Sequence, residues 1–301
     1  MLVALGARAP YEQAEDSGFT YYTRYFTGPS RPAARGPWLM PLGTISLLTI
    51  GGDNDTWSVT VFTSSRDAPV KALRDSDCFT RVVRACPLQA DWLDGRPITA
   101  VMPMAGVLDR YRRFAMDGAP IVTGLAAVGD AWACTNPSAG RGVSVGMVHA
   151  QLLRKTVRAH LDNPPGFAKA CDDSTEQLVA PFYQNQIKAD RARLAAMTAL
   201  RDGRQWSPPD SVMGRLTAAA SYDADVFRAL METVLCLALP EEVVERPRHK
   251  RTDRTIRLSR PAASPWPGPR SAPSAAHHMS LLHDKTKGHT PHPCSEISAR
   301  G

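Results

Sequence analysis

The alternation of apolar and polar positions first indicates a sheet, in residues 17–120. Aromatic and β-branched residues are concentrated in Phe19–Phe26, and the apolar runs Thr44–Ile50 and Trp57–Thr63 flank the turn-forming residues 51–55. Runs of this composition, closed by turn residues, predict strands, and the last two predict a hairpin. This region is therefore predicted to be a mainly antiparallel, substrate-binding sheet.

Short helices are predicted inside the same region. Between Pro69 and Asp94 the apolar residues recur at helical spacing, and Asp75 or Ser76 is placed to cap one helix. Strands are predicted to return at Ile98–Met102 and around Leu108–Phe114.

A strand, a loop and a long helix are predicted at the start of the next region, residues 121–240. The apolar run Ile121–Val128 reads as the strand and ends at a Gly-Asp pair. Apolar residues then follow at intervals of three and four up to Asn163, which predicts one apolar stripe along a helix. The stripe consists of Val143, Met147, Ala150, Leu153, Val157 and Leu161. Further helices are predicted over 166–200 and 211–239, separated by prolines.

The two ends of the chain differ from this body. Residues 1–16 are interpreted as an N-terminal remnant. Residues 241–301 contain proline clusters, six of the eight histidines and few aliphatic residues, which predicts a disordered basic tail. The predicted class is α+β: a mainly antiparallel sheet, a strand-loop-helix and C-terminal helices, followed by this tail.

Charge and composition exclude several function classes. The net charge is +7, but the segment from Arg246 onward has 11 Lys/Arg against 3 Asp/Glu, so the body is close to neutral. Because the basic tail has a single aromatic residue, Trp266, and no folded module, specific nucleic-acid binding is not predicted. No apolar run reaches the roughly 20 residues of a membrane span. Six cysteines without Cys-x-x-Cys spacing favour a cytoplasmic protein.

The loop after Val128 is the one segment whose residue types indicate chemistry. Small residues, a proline and two glycines lead into a helix, whose free backbone N–H groups suit an electron-rich ligand. Asn136-Pro137 reads as an N-cap followed by a first helical position. The candidate cofactor-binding residues are Gly129, Asp130, Pro137, Ser138, Ala139, Gly140, Arg141 and Gly142.

This loop, with Tyr111–Phe114 and Asp117–Pro120 before it, resembles the C-terminal part of FAD-dependent oxidoreductases of the aromatic-hydroxylase and geranylgeranyl-reductase type. The resemblance runs from about Ser17 to Leu239. It implies that Asp130 binds the ribityl hydroxyls of FAD and that residues 137–142 border its isoalloxazine ring. It also implies NAD(P)H as electron donor and an apolar or aromatic small molecule as substrate.

The other half of such a site is not found. No Gly-x-Gly-x-x-Gly motif follows a strand near the N-terminus, so we expect the chain to lack the dinucleotide-binding half. The predicted function is that of a truncated FAD-dependent oxidoreductase, weak or inactive alone. The alternative is a non-catalytic interaction protein, or a fragment that complements a separate dinucleotide-binding chain.

Other candidate residues have simpler interpretations. His149 and His160 share one helix without a third ligand at metal spacing, so we assign no metal and expect surface or core-edge positions. Cys134 lies near the proposed ring, but a cysteine among small residues is usually packed as a small apolar side chain. For Arg110, Arg112 and Arg113 a solvated face is favoured over the alternative that one of them lines a substrate pocket. The side chains of Tyr21, Tyr22, Tyr25 and Phe26 fit either a substrate cavity or the core.

Overall fold

The structure is a computed structural model and describes residues 2–207 and 210–246; residues 247–301 of the predicted tail lie outside the described residues. The strands are β1 (Tyr11–Asp16), β2 (Phe19–Thr27), β3 (Leu39–Leu42), β4 (Ile45–Gly51), β5 (Thr56–Ser64), β6 (Arg96–Pro97), β7 (Met102–Met104), β8 (Leu108–Arg113), β9 (Ala115–Met116), β10 (Ala119–Pro120) and β11 (Ala133–Cys134). The helices are α1 (Ser76–Arg84), α2 (Gly142–Ala159), α3 (Pro164–Leu178), α4 (Ala180–Arg201), α5 (Val212–Ala220), α6 (Ala224–Val234) and α7 (Pro240–Glu245). The α+β class is confirmed.

The larger sheet has the order β3-β4-β5-β2-β6, with β7 also paired to β2, and its neighbours are antiparallel. The predicted hairpin is confirmed as β4 and β5. Its turn places Asn54 and Asp55 at φ of 50° and 54°, in the left-handed region that asparagine and aspartate tolerate better than most residues. The strand predicted at Ile98–Met102 is wrong over most of its length, because only Met102 belongs to β7.

Both faces of this sheet are covered. On one face, Tyr22, Phe26 and Trp57 pack with α1, whose first turn is capped by Asp75 as predicted. On the other face, Phe19, Tyr21 and Phe62 pack against α4 through Met197. Tyr21, Tyr22 and Phe26 are at most 3% exposed, so packing in the core accounts for them rather than a substrate cavity. Alternate side chains of β2 therefore pack into two different hydrophobic cores, one on each face of the sheet.

A second, three-stranded antiparallel sheet has the order β1-β8-β11. Strand β1 pairs with β8 along its whole length, from Tyr11 opposite Arg113 to Asp16 opposite Leu108. Residues 11–16, expected to be a separate remnant, are thus an edge strand of this sheet. Strand β11 pairs with the other side of β8 and directly follows the Gly-Asp turn. The pairing with β8 therefore fixes the position of that turn.

The run Ile121–Val128 is not a strand, contrary to the prediction, and its backbone is irregular. A strand requires a neighbouring strand for its backbone N–H and C=O groups, and within the described residues none lies alongside this run. Helix α7, with Val243 fully buried, occupies the first part of the range predicted as tail. Among the described residues, no helix is both long and apolar enough to cross a membrane.

Candidate cofactor site

The Gly-Asp pair forms a short 3-10 turn, Gly129–Ala131, held from two sides. Gly129 has φ of 58°, which glycine adopts without strain, and its N–H donates to Nδ1 of His149 at 3.3 Å. From the sheet, Nη1 of Arg112 donates to the carbonyl of Ala131 at 3.0 Å, while its Nε donates to Glu12 at 2.6 Å. Arg112, whose side chain is 19% exposed, thus ties β8 and β1 to the turn through exposed hydrogen bonds.

His149 is 3% exposed, so the expected surface or core-edge position is also wrong. Because Nδ1 accepts the Gly129 N–H, the ring proton lies on Nε2, which donates to the Thr175 hydroxyl at 2.9 Å. Burial lowers the pKa of His149, which keeps the ring neutral. His149 thereby connects the turn to α3. The periodicity of apolar residues did not predict this buried contact, because His149 is not part of the apolar stripe predicted on α2.

The loop after β11 is built around Asn136. Its side chain is 3% exposed, and Oδ1 accepts from the Ser138 N–H and from the Tyr21 hydroxyl, both at 2.9 Å. Its backbone N–H donates to Oδ1 of Asp109 at 2.9 Å. The N-cap predicted for the long helix is therefore wrong: Asn136 caps a separate 3-10 turn over 137–139, and α2 begins only at Gly142.

Two glycines leave space between this loop and the start of α2. Gly140 has φ of 65°, and a Cβ built there would meet nothing within 4 Å. A Cβ on Gly142 would meet only Oδ1 of Asp130, at 3.8 Å. The Asp130 carboxylate thus lies beside the helix start. The side chain of Arg141, the N-cap residue of α2, does not hydrogen-bond to the first N–H groups of the helix.

These segments enclose a cavity of about 510 Å³, within the range of roughly 300–1,000 Å³ typical of small-molecule sites. Six of the eight residues selected from the sequence line it: Gly129, Asp130, Pro137, Gly140, Arg141 and Gly142. The other two, Ser138 and Ala139, belong to the same loop but are not part of the cavity wall. The structure therefore brings most of the predicted set to one concave surface.

Aromatic side chains that the sequence did not single out complete the wall. Trp132, Phe182 and Tyr183 line the cavity, two of them from the first turn of α4. Tyr183 stacks on Tyr111 with ring centroids 5.5 Å apart, and burial raises its pKa to about 12, so the phenol is neutral. Such rings offer a flat apolar surface to an aromatic ligand. Phe182 and Tyr183 lie about 40 residues after the loop, so the local sequence pattern did not reveal them, whereas Trp132 lies directly after the Gly-Asp turn.

The inner end of the cavity is polar. Gln186 and Asn136 line it, and Nε2 of Gln186 donates to Oδ1 of Asp190 at 2.9 Å. Asp190 is 6% exposed. Its pKa rises to about 7, chiefly because burial disfavours the charged carboxylate, whereas the nearby Asn136 amide, the hydrogen bond from Gln186 and the charge of Arg141 oppose the shift.

Cys134 lines the same cavity, and burial raises the pKa of its thiol, with the charge of Asp130 adding to the shift. The thiolate is the reactive form of cysteine, so this environment suppresses reactivity. The geometry favours the interpretation of Cys134 as a packed side chain.

Comparisons with known proteins give structural neighbours only; no family model and no curated protein sequence matches the chain. The neighbours include OxyS anhydrotetracycline hydroxylase from Streptomyces rimosus, with 16% identity, TM-score 0.46 and coverage of 76% of this chain and 43% of that one. The Diels-Alderase PyrE3 of pyrroindomycin biosynthesis is 14% identical, with a TM-score of 0.49 and coverage of 75% of this chain and 46% of that one. The flavin-dependent brominase Bmp2 is 15% identical, with a TM-score of 0.47 and coverage of 82% of this chain and 59% of that one. The chain thus spans 43% to 59% of the length of these three proteins.

Proposed function

We propose that this chain binds the isoalloxazine ring of a flavin in the cavity beside the Gly-Asp turn and takes part in flavin-dependent oxidoreduction. The observation that carries the proposal is the convergence of six residues, chosen from the sequence for ring and ribityl contacts, on one cavity wall. Residues 129–130 and 137–142 are brought together only by the fold, since β11 separates them along the chain.

The shape and chemistry of the wall fit a flavin ring. The open space at Gly140 and Gly142 admits a flat ligand up to the backbone, and Trp132 and Tyr183 supply aromatic surface. The uncapped start of α2 supplies N–H groups and the positive end of a helix dipole, which favour electron density on a ligand. Asp130 is exposed beside them and supplies acceptor oxygens for hydroxyl groups.

When bound, the flavin supplies the redox chemistry, accepting hydride from reduced nicotinamide and passing reducing equivalents onward. The chain's own residues position the ring and set the local electrostatics. His149 and Arg112 fix the turn, and Asn136 fixes the loop. We include in the proposal FAD as the flavin, NAD(P)H as donor and an apolar or aromatic small molecule as substrate.

A series of three ligands tests this assignment. Lumiflavin contains the ring alone, riboflavin adds the ribityl chain, and FAD adds the adenine nucleotide. We expect the protein to quench the fluorescence of each of the three flavins in a saturable manner. Since no glycine-rich nucleotide site is identified in this sequence, FAD is expected to bind within about tenfold of riboflavin.

Variants of Asp130 separate the ring from the ribityl chain. Asp130→Ala is expected to weaken riboflavin binding by roughly tenfold or more, the value of one charge-assisted hydrogen bond, while lumiflavin binding stays unchanged. Asp173→Asn, on the exposed side of α3, is the matched control and should change neither. Failure of lumiflavin to bind at millimolar concentration would refute the proposal.

A second candidate function is non-catalytic association with a separate dinucleotide-binding chain. The first part of the apolar stripe predicted on α2 is directed outward: Val143 and Met147 are 78% and 61% exposed, whereas Leu153 and Val157 are half-buried. Exposed apolar surface of this kind is common at interfaces. The association would be supported if sedimentation showed a complex with a dinucleotide-binding domain that Met147→Lys abolishes, and rejected if no complex formed.

A further inference from the structure

A buried carboxyl group lies behind the cavity, and none of the roles assigned so far uses it. Asp190 is in the middle of α4 and is 6% exposed. One oxygen, Oδ1, accepts from Gln186, whereas Oδ2 is buried and meets no well-directed hydrogen bond within the described part of the chain. A charged carboxylate with one satisfied oxygen is costly at such a position, so the neutral acid is favoured.

The groups around Asp190 come from four elements. Gln186 lies one turn earlier on α4, Asn136 and Arg141 lie on the loop, and Asp109 lies on β8. Tyr21 approaches from β2. Only Arg141 is cationic, and the negative charge of Asp109 opposes it. The surroundings therefore hold Asp190 close to its point of half-protonation, with a pKa of about 7.

Two amide side chains connect Asp190 to the cavity. Gln186 and Asn136 both line the cavity, and both lie beside Asp190. Gln186 and Asn136 are themselves only 6% and 3% exposed. A ligand that fills the cavity excludes solvent from this wall, which lowers the local dielectric and further disfavours the carboxylate.

We propose that Asp190 is a proton-exchanging positioning residue of the cavity, which takes up one proton from solvent when a flavin ring binds. The proton goes to the free oxygen, Oδ2, and the neutral acid keeps the Gln186 amide oriented by the bond to Oδ1. The inference rests on the proposed function, because it takes the flavin ring as the ligand. It adds a pH dependence that a purely structural carboxyl group would not produce.

The direct test is calorimetry of lumiflavin binding to the full chain at pH 7.5 in two buffers of different ionisation enthalpy. Oxidised lumiflavin is neutral at this pH, so protons exchanged with the buffer come from the protein. We expect an uptake of about half a proton or more per ring. The dissociation constant should be nearly flat below pH 6.5 and rise by up to about sixteenfold between pH 7 and pH 8.5, the limit for one linked proton on a group whose pKa is about 7.

Three variants locate the proton. Asp190→Asn should abolish both the uptake and the pH dependence, whereas Asp109→Asn, which retains an oxygen for the Asn136 N–H, should keep both and shift the pH dependence to lower pH because a neighbouring negative charge is lost. Asp173→Asn is the control on the remote face of α3. Binding without proton uptake by the unaltered chain would overturn the inference alone, as would an uptake lost in Asp109→Asn and kept in Asp190→Asn. Absence of lumiflavin binding would overturn the proposed function and this inference together.

Discussion

A single residue at the cavity can lower the stability of the fold while it favours ligand binding, and Gly142 is the clearest case. It is the first residue of α2, where glycine costs helix stability, and its missing Cβ leaves space next to Asp130. We expect Gly142→Ala to stabilise the fold by about 0.5–1 kcal/mol and to weaken lumiflavin binding. Urea unfolding and fluorescence titration on the same variant measure the two effects.

Gly146 provides the matched control for that experiment. It lies one turn further along α2, and a Cβ there would meet only the Cα of Gly129, at 3.9 Å. Gly146→Ala should therefore raise stability by a similar amount and leave lumiflavin affinity unchanged. If both variants weakened binding equally, space at the cavity wall would not be the reason for the glycine at position 142.

His149 is expected to act through the turn it holds. His149→Phe removes the acceptor of the Gly129 N–H and should destabilise the fold by about 1–3 kcal/mol and weaken lumiflavin binding. His149→Asn retains an acceptor near the position of Nδ1 and should recover part of the affinity. Equal affinity in both variants would show that the turn does not depend on this hydrogen bond.

The sequence identified the backbone part of the site better than its side-chain part. Glycine, proline and the Asn136 cap follow local rules of conformation, so six of eight candidate residues could be placed on one wall in advance. Tyr183, Gln186 and Asp190 lie some 40–60 residues further along the chain and reach the site only through packing of α4. Local patterns contain no signal for such contacts.

At the scale of elements, β8 connects the edge strand β1 to the Gly-Asp turn. Arg112 on β8 donates to Glu12 and to the turn carbonyl of Ala131 with different guanidinium nitrogens. Arg112→Lys keeps the charge but loses this fork, so we expect a stability loss of about 1–2 kcal/mol and weaker riboflavin binding. Arg191→Lys, which alters an exposed pair with Glu15, is the control, and its effect should be near zero.

Elements with strong local patterns were predicted correctly, and those that depend on a neighbour were not. Strand β2, the β4–β5 hairpin and α1 follow their sequence patterns, whereas each of the helical stretches predicted over 166–200 and 211–239 is divided into two helices. The run 121–128 has the composition of a strand but no neighbouring strand among the described residues, so its backbone is irregular. Helix α2 was placed correctly, but the first part of its predicted apolar stripe is exposed. Periodicity identifies a stripe without showing what covers it.

At the scale of the whole molecule, the buried carboxyl group should govern how stability depends on pH. The pKa of Asp190 is raised from 3.8 to about 7, so the folded chain binds this proton more tightly than the unfolded chain. That contribution is complete below pH 3.8 and is lost as the pH rises towards 7, by up to about 4 kcal/mol at 1.36 kcal/mol per pKa unit.

Urea unfolding of the unaltered chain and of Asp190→Asn between pH 4.5 and pH 8 measures this effect. The difference in stability between the unaltered chain and the variant should shift against the unaltered chain as the pH rises through this window. Burial also raises the pKa of Asp109, which adds a slope of the same sign in both proteins, whereas the lowered pKa of His149 adds a slope of opposite sign in both. Parallel curves for the two proteins would show that Asp190 titrates normally.

The most direct test of the central claim is a crystal structure of the chain grown with lumiflavin. The account predicts one ring in the cavity, against the backbone of residues 137–142 and the side chains of Trp132 and Tyr183. A ring bound at any other surface, or a cavity that stays closed to lumiflavin at saturating concentration, would contradict it.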